Sequence, residues 1–322
     1  MKDASLPKND VEIELKRVLS CTQTSLSIQA QSLENTAIGD DLDNSFPKTS
    51  TLVDLAILTD EISLDINEAL EEGKALGFRK FELRCADSYE HRVPYLNSKA
   101  ESRILKEVEQ KEIEITALTP GLFKIGLSDT AKIKEELEVT LPKTCELAVQ
   151  LGVPRIIAFS FMTNEGGSPK DAVERVKEAG QVAEQFGLQL SVENEPGFFC
   201  DTGLRTAALV ESIGAKNVGI NWDCANALVA GEVAYPIGYE AVLPLIQNIH
   251  IKDAIPIPPD KWENRLVGDG GVNWLGQLRA ILKDKPVGHI TLETHVFPVL
   301  ESTREDVRRL RVLFDAIDGF ND

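Results

Sequence analysis

Hydrophobic and polar positions alternate in four short runs of the carboxyl-terminal half of the chain. Leu188, Leu190 and Val192 interleave with Gln189, Ser191 and Glu193, and Val218, Ile220 and Trp222 with Gly219, Asn221 and Asp223. Ile249 and Ile251 interleave with Asn248, His250 and Lys252, and Ile290 and Leu292 with His289, Thr291 and Glu293. A period of two puts the two sets on opposite faces of a strand. In every run the apolar set keeps one parity, and a Glu, Asp or His stands on the other parity near the carboxyl end. The first run continues through Asn194 and Glu195 into a Pro196-Gly197 turn.

The same rhythm begins near Leu52. The pattern predicts further strands over 53–58, 78–84, 113–118 and 155–161. Helices are predicted over 65–76, 99–110, 129–151, 169–186, 201–213, 239–247, 274–283 and 303–317. Several of these helices stop at a glycine, as in Leu76-Gly77, Leu151-Gly152 and Phe186-Gly187. Eight strand–helix alternations with no shift in composition imply one (β/α)8 TIM barrel over 52–318. An open doubly wound sheet would carry a Gly-rich fingerprint after its first strand, and Thr59-Asp60-Glu61 supplies none.

Residues 1–51 form a polar amino-terminal extension rich in Ser, Thr, Asn, Gln and Asp. A helix is expected over 11–19, and the rest lacks a sustained period, so it is expected to be poorly ordered or to act as a clasp. Residues 319–322 are a short tail.

Bulk properties narrow the function classes. In 322 residues, 34 Lys and Arg face 52 Asp and Glu, a formal net charge of −18. No long basic run offsets it, which argues against nucleic-acid and anionic-membrane partners. Five cysteines at 21, 85, 145, 200 and 224 show no C-x-x-C spacing and no even framework, as expected in a reducing compartment. The first ten residues are polar and no run approaches the roughly 18 apolar residues of a membrane span. A soluble, cytoplasmic protein is expected.

Closing the strands into a barrel brings Glu193, Asp223, His250 and Glu293 to the carboxyl-end mouth, where barrel chemistry sits. A single Glu at a strand end is ordinary; four polar residues in parity, roughly 30 to 45 positions apart, match successive strand–loop–helix units. Three carboxylates and one imidazole suit one hard or borderline divalent cation, Mn²⁺, Mg²⁺, Co²⁺ or Zn²⁺. A cation that chelates a carbonyl and its neighbouring hydroxyl would stabilise an enediolate. Glu193 and Glu293 would then act as the catalytic pair, one removing a proton and the other returning it.

Weaker candidates surround these four. Arg84 and Lys124, at or after the ends of strands 2 and 3, could bind a substrate carboxylate or phosphate. Glu195, Asn226, Lys252 and His295 could reach the substrate from the rim, and Asp253 could orient a metal ligand from behind. Gly268-Asp269-Gly270-Gly271 precedes the seventh helix, a place where barrels often bind phosphate. Cys224 has no adjacent base and reads as packing.

These pieces resemble the xylose isomerase-like TIM barrels, in particular the sugar phosphate isomerase/epimerase group. The resemblance covers 52–318 and rests on Phe81-Glu82-Leu83-Arg84, Phe159-Ser160-Phe161, Glu193-Asn194-Glu195-Pro196, Asn221-Trp222-Asp223-Cys224-Ala225-Asn226, His250-Ile251-Lys252-Asp253 and Leu292-Glu293-Thr294-His295. It implies one divalent metal on Glu193, Asp223, His250 and Glu293, a sugar or sugar phosphate as substrate, and isomerase or epimerase activity. An inosose dehydratase-like lyase and a hydroxypyruvate isomerase-like enzyme use the same barrel, and a non-catalytic binding barrel is the alternative of another class. This chain departs at Asn226, where many relatives carry the substrate-contacting or second-metal histidine of Asp-x-x-His, a departure that counts against ketohexose epimerase chemistry.

Overall fold

The protein, seen in a computed structural model, is described for residues 23, 25–31, 33, 53–258 and 261–318. Eight parallel strands close into a barrel. In chain order they are β1 (Asp54–Leu58), β2 (Lys80–Leu83), β3 (Glu114–Leu122), β4 (Arg155–Ala158), β5 (Gln189–Glu193), β6 (Val218–Asp223), β7 (Ile246–Ile251) and β8 (His289–Leu292). Each pairs with its neighbours in sequence, and β1 closes on β8 through Asp54↔His289 to Ile57↔Leu292.

The parity of the strands decides what lies inside. Trp222 turns outward, its indole N–H donating to Gln277 of the helix Trp274–Asp284 at 3.1 Å. Asn221 turns inward and donates to Glu193 at 3.0 Å, while Asn248 donates across the barrel to Glu82 at 3.2 Å. The apolar parity therefore seals the strands against the helical shell, and the polar parity fills the barrel's carboxyl-end half. Register then aligns the polar residues: Glu193 faces Asn221, Asp223 faces His250, and His250 faces Thr291. Glu293, just beyond β8, is held by its N–H to the Ile251 carbonyl at 2.9 Å.

The helices follow ordinary capping logic. Asp65, Asn97, Ser168 and Thr202 cap Ile66–Ala75, Ser98–Glu109, Pro169–Gln185 and Gly203–Ile213 by accepting first-turn N–H bonds, and Ser168 completes a capping box with Asp171. The expected helix 239–247 is shorter. It spans Tyr239–Val242, a 3₁₀ turn follows at Leu243–Leu245, and β7 starts at Ile246, because Pro244 removes an N–H from the helical ladder. An unanticipated helix, Cys224–Val229, starts directly after β6 with Asp223 as its cap.

Two further hairpins rise from the mouth. One pairs Cys85–Ala86 with Ser88–Arg92, the other Asp253–Ile257 with Lys261–Arg265. Within the amino-terminal extension, residues 25–31 are helical. There the buried Gln29 side chain donates to the Gly268 and Val272 carbonyls and accepts from Leu275 N–H at 3.2 Å. One amide thus ties this segment to the loop before Trp274–Asp284. The helix expected over 11–19, Cys21 and the tail 319–322 lie outside the described residues. No described helix is long and apolar enough to cross a membrane.

Candidate active site

The four residues singled out by parity converge. One ligand atom from each of Glu193, Asp223, His250 and Glu293 lies within 4.8 Å of all the others, and all four side chains are buried. His250 Nδ1 is 3.3 Å from Glu293 Oε2 and 3.7 Å from Glu193 Oε2. Its other nitrogen, Nε2, lies 3.1 Å from both oxygens of Glu82. That carboxylate fixes the ring and favours a proton on Nε2, which turns Nδ1 toward the cluster.

The donor set fits a divalent ion. The four ligand atoms already lie within 4.8 Å of one another, and His250 Nδ1 lies within 3.7 Å of both glutamates, close enough for one ion to reach them all. Asp223 divides its carboxylate: Oδ1 accepts the Asn226 N–H at 2.8 Å, while the buried Oδ2 has no hydrogen-bond donor in line. Lys252 Nζ stands 2.7 Å from that Oδ2, a charge contact without hydrogen-bond geometry, and 3.3 Å from Glu293 Oε2. Positive charge is therefore already favoured at this point. Glu193, Asp223, His250 and Glu293 are the residues that could hold an ion.

Glu293 is the best-supported carboxylate. Burial pushes its carboxyl upward, but Lys252, His295 and His250 outweigh burial and hold it well below the usual range. Arg84 binds its other oxygen. Burial raises Asp223 even against the attraction of Lys252. For His250, burial favours the neutral ring, yet Glu82, Glu193 and Glu293 raise it well above the ordinary histidine value.

The remaining candidates fall into place unequally. Lys124, Glu195, Asn226, Lys252 and His295 all line a cavity of about 260 Å³ whose wall includes Glu193 and Glu293. Lys124 pairs with Glu195 at 3.0 Å and lies over the Phe159 ring at 3.9 Å, and Asn226 donates to the Asn194 carbonyl and Glu195. Glu195 is thus a rim acid, consistent with β5 ending at Glu193. His295, with φ +54, is held by its N–H to Glu61, by Nδ1 at 2.8 Å from Glu61 and by Nε2 at 3.1 Å from Glu293. Burial works against its charge, but Glu293 and Glu61 raise it to about 9.

Three expectations change. Arg84 is not free for a substrate anion: its guanidinium is committed to Asp60, Glu61 and Glu293 in a buried network. Asp253 does not orient a metal ligand. Its carboxylate accepts N–H bonds from Ala254, Gly268, Gly270 and Val272 and so shapes the loop that follows β7. The glycine run 268–271 is no phosphate cradle either, because its amides are already taken: Gly268 and Gly270 donate to Asp253, Asp269 to the Leu266 carbonyl and Gly271 to the Ala254 carbonyl.

Sequence reasoning gave no role to Glu82, Asp60 or Glu61, which the structure ties to His250, Arg84 and His295. Glu82 was within reach of the parity rule, since Lys80, Glu82 and Arg84 alternate with Phe81 and Leu83. Asp60 and Glu61 follow the nearly continuous apolar run of β1, which gives no parity to read. A larger cavity of about 780 Å³ lies at the opposite end, lined by Val53, Lys80, Ile113 and Arg311 among others, and holds none of the four converging residues.

A family model for the xylose isomerase-like TIM barrel matches residues 70–313. The chain belongs to the xylose isomerase-like TIM barrel family. No curated protein matches it. Among solved structures, the IOLI protein with a bound zinc atom aligns at TM-score 0.65 and 17% identity, over 82% of this chain and 97% of that one. A D-tagatose 3-epimerase-like protein aligns at 0.66 and 17%, over 82% and 99%. The probable 3-DHS dehydratase AsbF from Bacillus anthracis aligns at 0.64 and 17%, over 80% and 98%. At such identities these are likenesses of fold.

Proposed function

We propose that the protein is a divalent-metal-dependent isomerase or epimerase of a small sugar or sugar derivative, acting by proton transfer beside a carbonyl. The observation that carries this reading is the convergence of Glu193, Asp223, His250 and Glu293 within 4.8 Å, two of them, Glu193 and Glu293, lining the mouth cavity. The zinc in the IOLI structure and the epimerase-like neighbour agree with it. A divalent ion held there would polarise a substrate carbonyl and the adjacent hydroxyl and take up the negative charge that develops.

The protein's own residues supply the rest. Glu193 and Glu293 enter from strands three places apart, so they can face a bound carbon from two sides. Lys252 and Arg84 hold one oxygen of Glu293 each, which fixes its direction and keeps it ionised. Proton return to the opposite face of the same carbon gives an epimer; return to the neighbouring carbon gives an isomer. The cavity is small and mixed, with Phe159, Tyr89 and Trp262 among the side chains that line it.

A dehydratase reading shares the first proton abstraction and differs in the departure of a β-hydroxyl. His295, which lines the cavity with Nε2 3.1 Å from Glu293, is the observation that favours it, and one neighbour is titled a probable dehydratase. The test is solvent exchange: Mn²⁺-loaded protein is incubated in D₂O with ketoses, ketose phosphates and inososes, and deuterium beside the carbonyl is read by NMR. Exchange is expected in wild type and is abolished by Glu193→Gln and by Glu293→Gln while both variants stay folded. Exchange that survives both substitutions would refute the roles of the two glutamates, and loss of water would select the dehydratase.

A further inference from the structure

The cations at the mouth are almost all answered by carboxylates of the chain itself. Arg84 is held by Asp60, Glu61 and Glu293, Lys124 by Glu195, Lys252 by Asp223 and Glu293, and His295 by Glu61 and Glu293. The loop most suited to an anion, 268–271, is filled by Asp253. Arg92 is the exception: among the described residues no carboxylate lies within ion-pair distance of its guanidinium, and it lines the same cavity as Glu193 and Glu293.

Its position is built. Arg92 ends the hairpin strand Ser88–Arg92, and the main chain on either side is fixed by Val93 N–H to the Arg84 carbonyl and by Tyr95 N–H to the Arg92 carbonyl. The side chain lies over Gly121, at φ +80 near the end of β3. A Cβ at that glycine would stand 3.2 Å from Arg92 Nη1 and 3.5 Å from its Cδ. The bare backbone there leaves room for the guanidinium at the cavity wall.

From this arrangement we infer that Arg92 is a substrate-binding residue that receives an anionic group, a phosphate ester or a carboxylate, on the sugar acted on at the floor of the cavity. This rests on the isomerase or epimerase function proposed for the same site. A guanidinium offers a planar fork that pairs with either anion through two N–H bonds, and in a partly enclosed cavity such a pair is strong. Lys124, already paired with Glu195, borders the same space and adds positive potential without being free to bind alone. A neutral sugar would leave Arg92 without a partner beside a strongly acidic site.

The test is equilibrium binding to the full chain, with and without Mn²⁺, using D-fructose, D-fructose 6-phosphate and D-glucuronate as probes. Wild type is expected to bind one of the two acids at least about 10-fold more tightly than D-fructose, from the strength of charge-assisted pairs. Which acid wins distinguishes phosphate from carboxylate. Arg92→Gln is expected to erase that preference and leave D-fructose binding unchanged, and Arg92→Lys to retain part of it. D-Fructose binding as tightly as both acids, failure of both acids to bind, or an unaltered preference in a folded Arg92→Gln protein would overturn the assignment. A protein that takes up no Mn²⁺ yet keeps the Arg92-dependent preference would overturn the metal-dependent function and leave this assignment standing.

Discussion

Replacing Glu82 with glutamine tests how the histidine is aimed. Three donors converge on this fully buried carboxylate: His250 Nε2 at 3.1 Å from both oxygens, the Thr119 hydroxyl at 2.5 Å from Oε1 and Asn248 Nδ2 at 3.2 Å from Oε2. Glutamine keeps the volume but offers one acceptor oxygen. Asn248 cannot turn its amide to compensate, because its Oδ1 accepts from Arg155 at 3.3 Å. The tolerable orientation puts the new NH₂ toward Thr119, whose hydroxyl can rotate to accept, and leaves His250 and Asn248 sharing a neutral oxygen. The fold should survive, whereas the imidazole loses the charge that raises its basicity and holds its ring. Loss of such a partner typically weakens metal binding by about 10- to 100-fold, or about 1.4–2.8 kcal/mol. Mn²⁺ affinity measured by competition with a fluorescent chelator, with circular dichroism as the check on folding, reads this directly. Wild-type affinity in Glu82→Gln would refute the idea that Glu82 directs Nδ1 at the cluster.

Other consequences can be checked independently. Burial raises Asp306 to about 7, against hydrogen bonds from Val267 N–H and Thr294. Its folded value exceeds the unfolded one of about 3.9, so its contribution is complete below pH 4 and is lost as pH rises through 7; unfolding free energies from urea titrations at pH 5 and 8 should differ by up to about 2–3 kcal/mol more in wild type than in Asp306→Asn. A similar slope in the variant would assign the titration elsewhere. Gly73→Ala would drive a methyl into Phe81 Cε1 at 2.5 Å and Ile62 Cδ1 at 3.0 Å, so thermal unfolding should show a loss of about 1–2 kcal/mol despite the better helix propensity of alanine. An unchanged melting temperature would show that β2 and its helix can separate without cost. Gln29→Ala removes three hydrogen bonds, two of them buried, and leaves the Leu275 N–H without its acceptor, which should lower stability by about 1–3 kcal/mol. Unchanged stability would show that the segment 25–31 does not brace the barrel.

Much of this site was legible because strand alternation is a local signal. The parity of Val192 against Glu193, Trp222 against Asp223, Ile251 against His250 and Leu292 against Glu293 needs no knowledge of the partner strand, and the barrel's closure does the rest. What could not be read is whatever depends on pairing across the barrel. Glu82 and His250 meet from β2 and β7, and Arg84 is consumed by Asp60 and Glu61 from the far end of β1. A sequence shows that Arg84 is a cation near a strand end; only the fold shows that three acids already hold it, while Arg92, eight positions on in an unforeseen hairpin, is left to face the cavity. Asp253 fails for a similar reason: its four N–H partners lie in its own neighbourhood and in a glycine loop whose turn the local pattern did not define.

The proposed chemistry depends on Glu193, Asp223, His250 and Glu293 forming one metal site. Elemental analysis of protein purified without a chelating tag, equilibrated with Mn²⁺ and freed of unbound ion, reads this with no assumption about substrate when wild type and His250→Ala are compared side by side. One divalent ion per wild-type chain is expected, with a large loss in the folded variant. No bound ion in wild type with Mn²⁺, Mg²⁺, Co²⁺ or Zn²⁺, or a full ion retained by His250→Ala, would contradict the four-residue site.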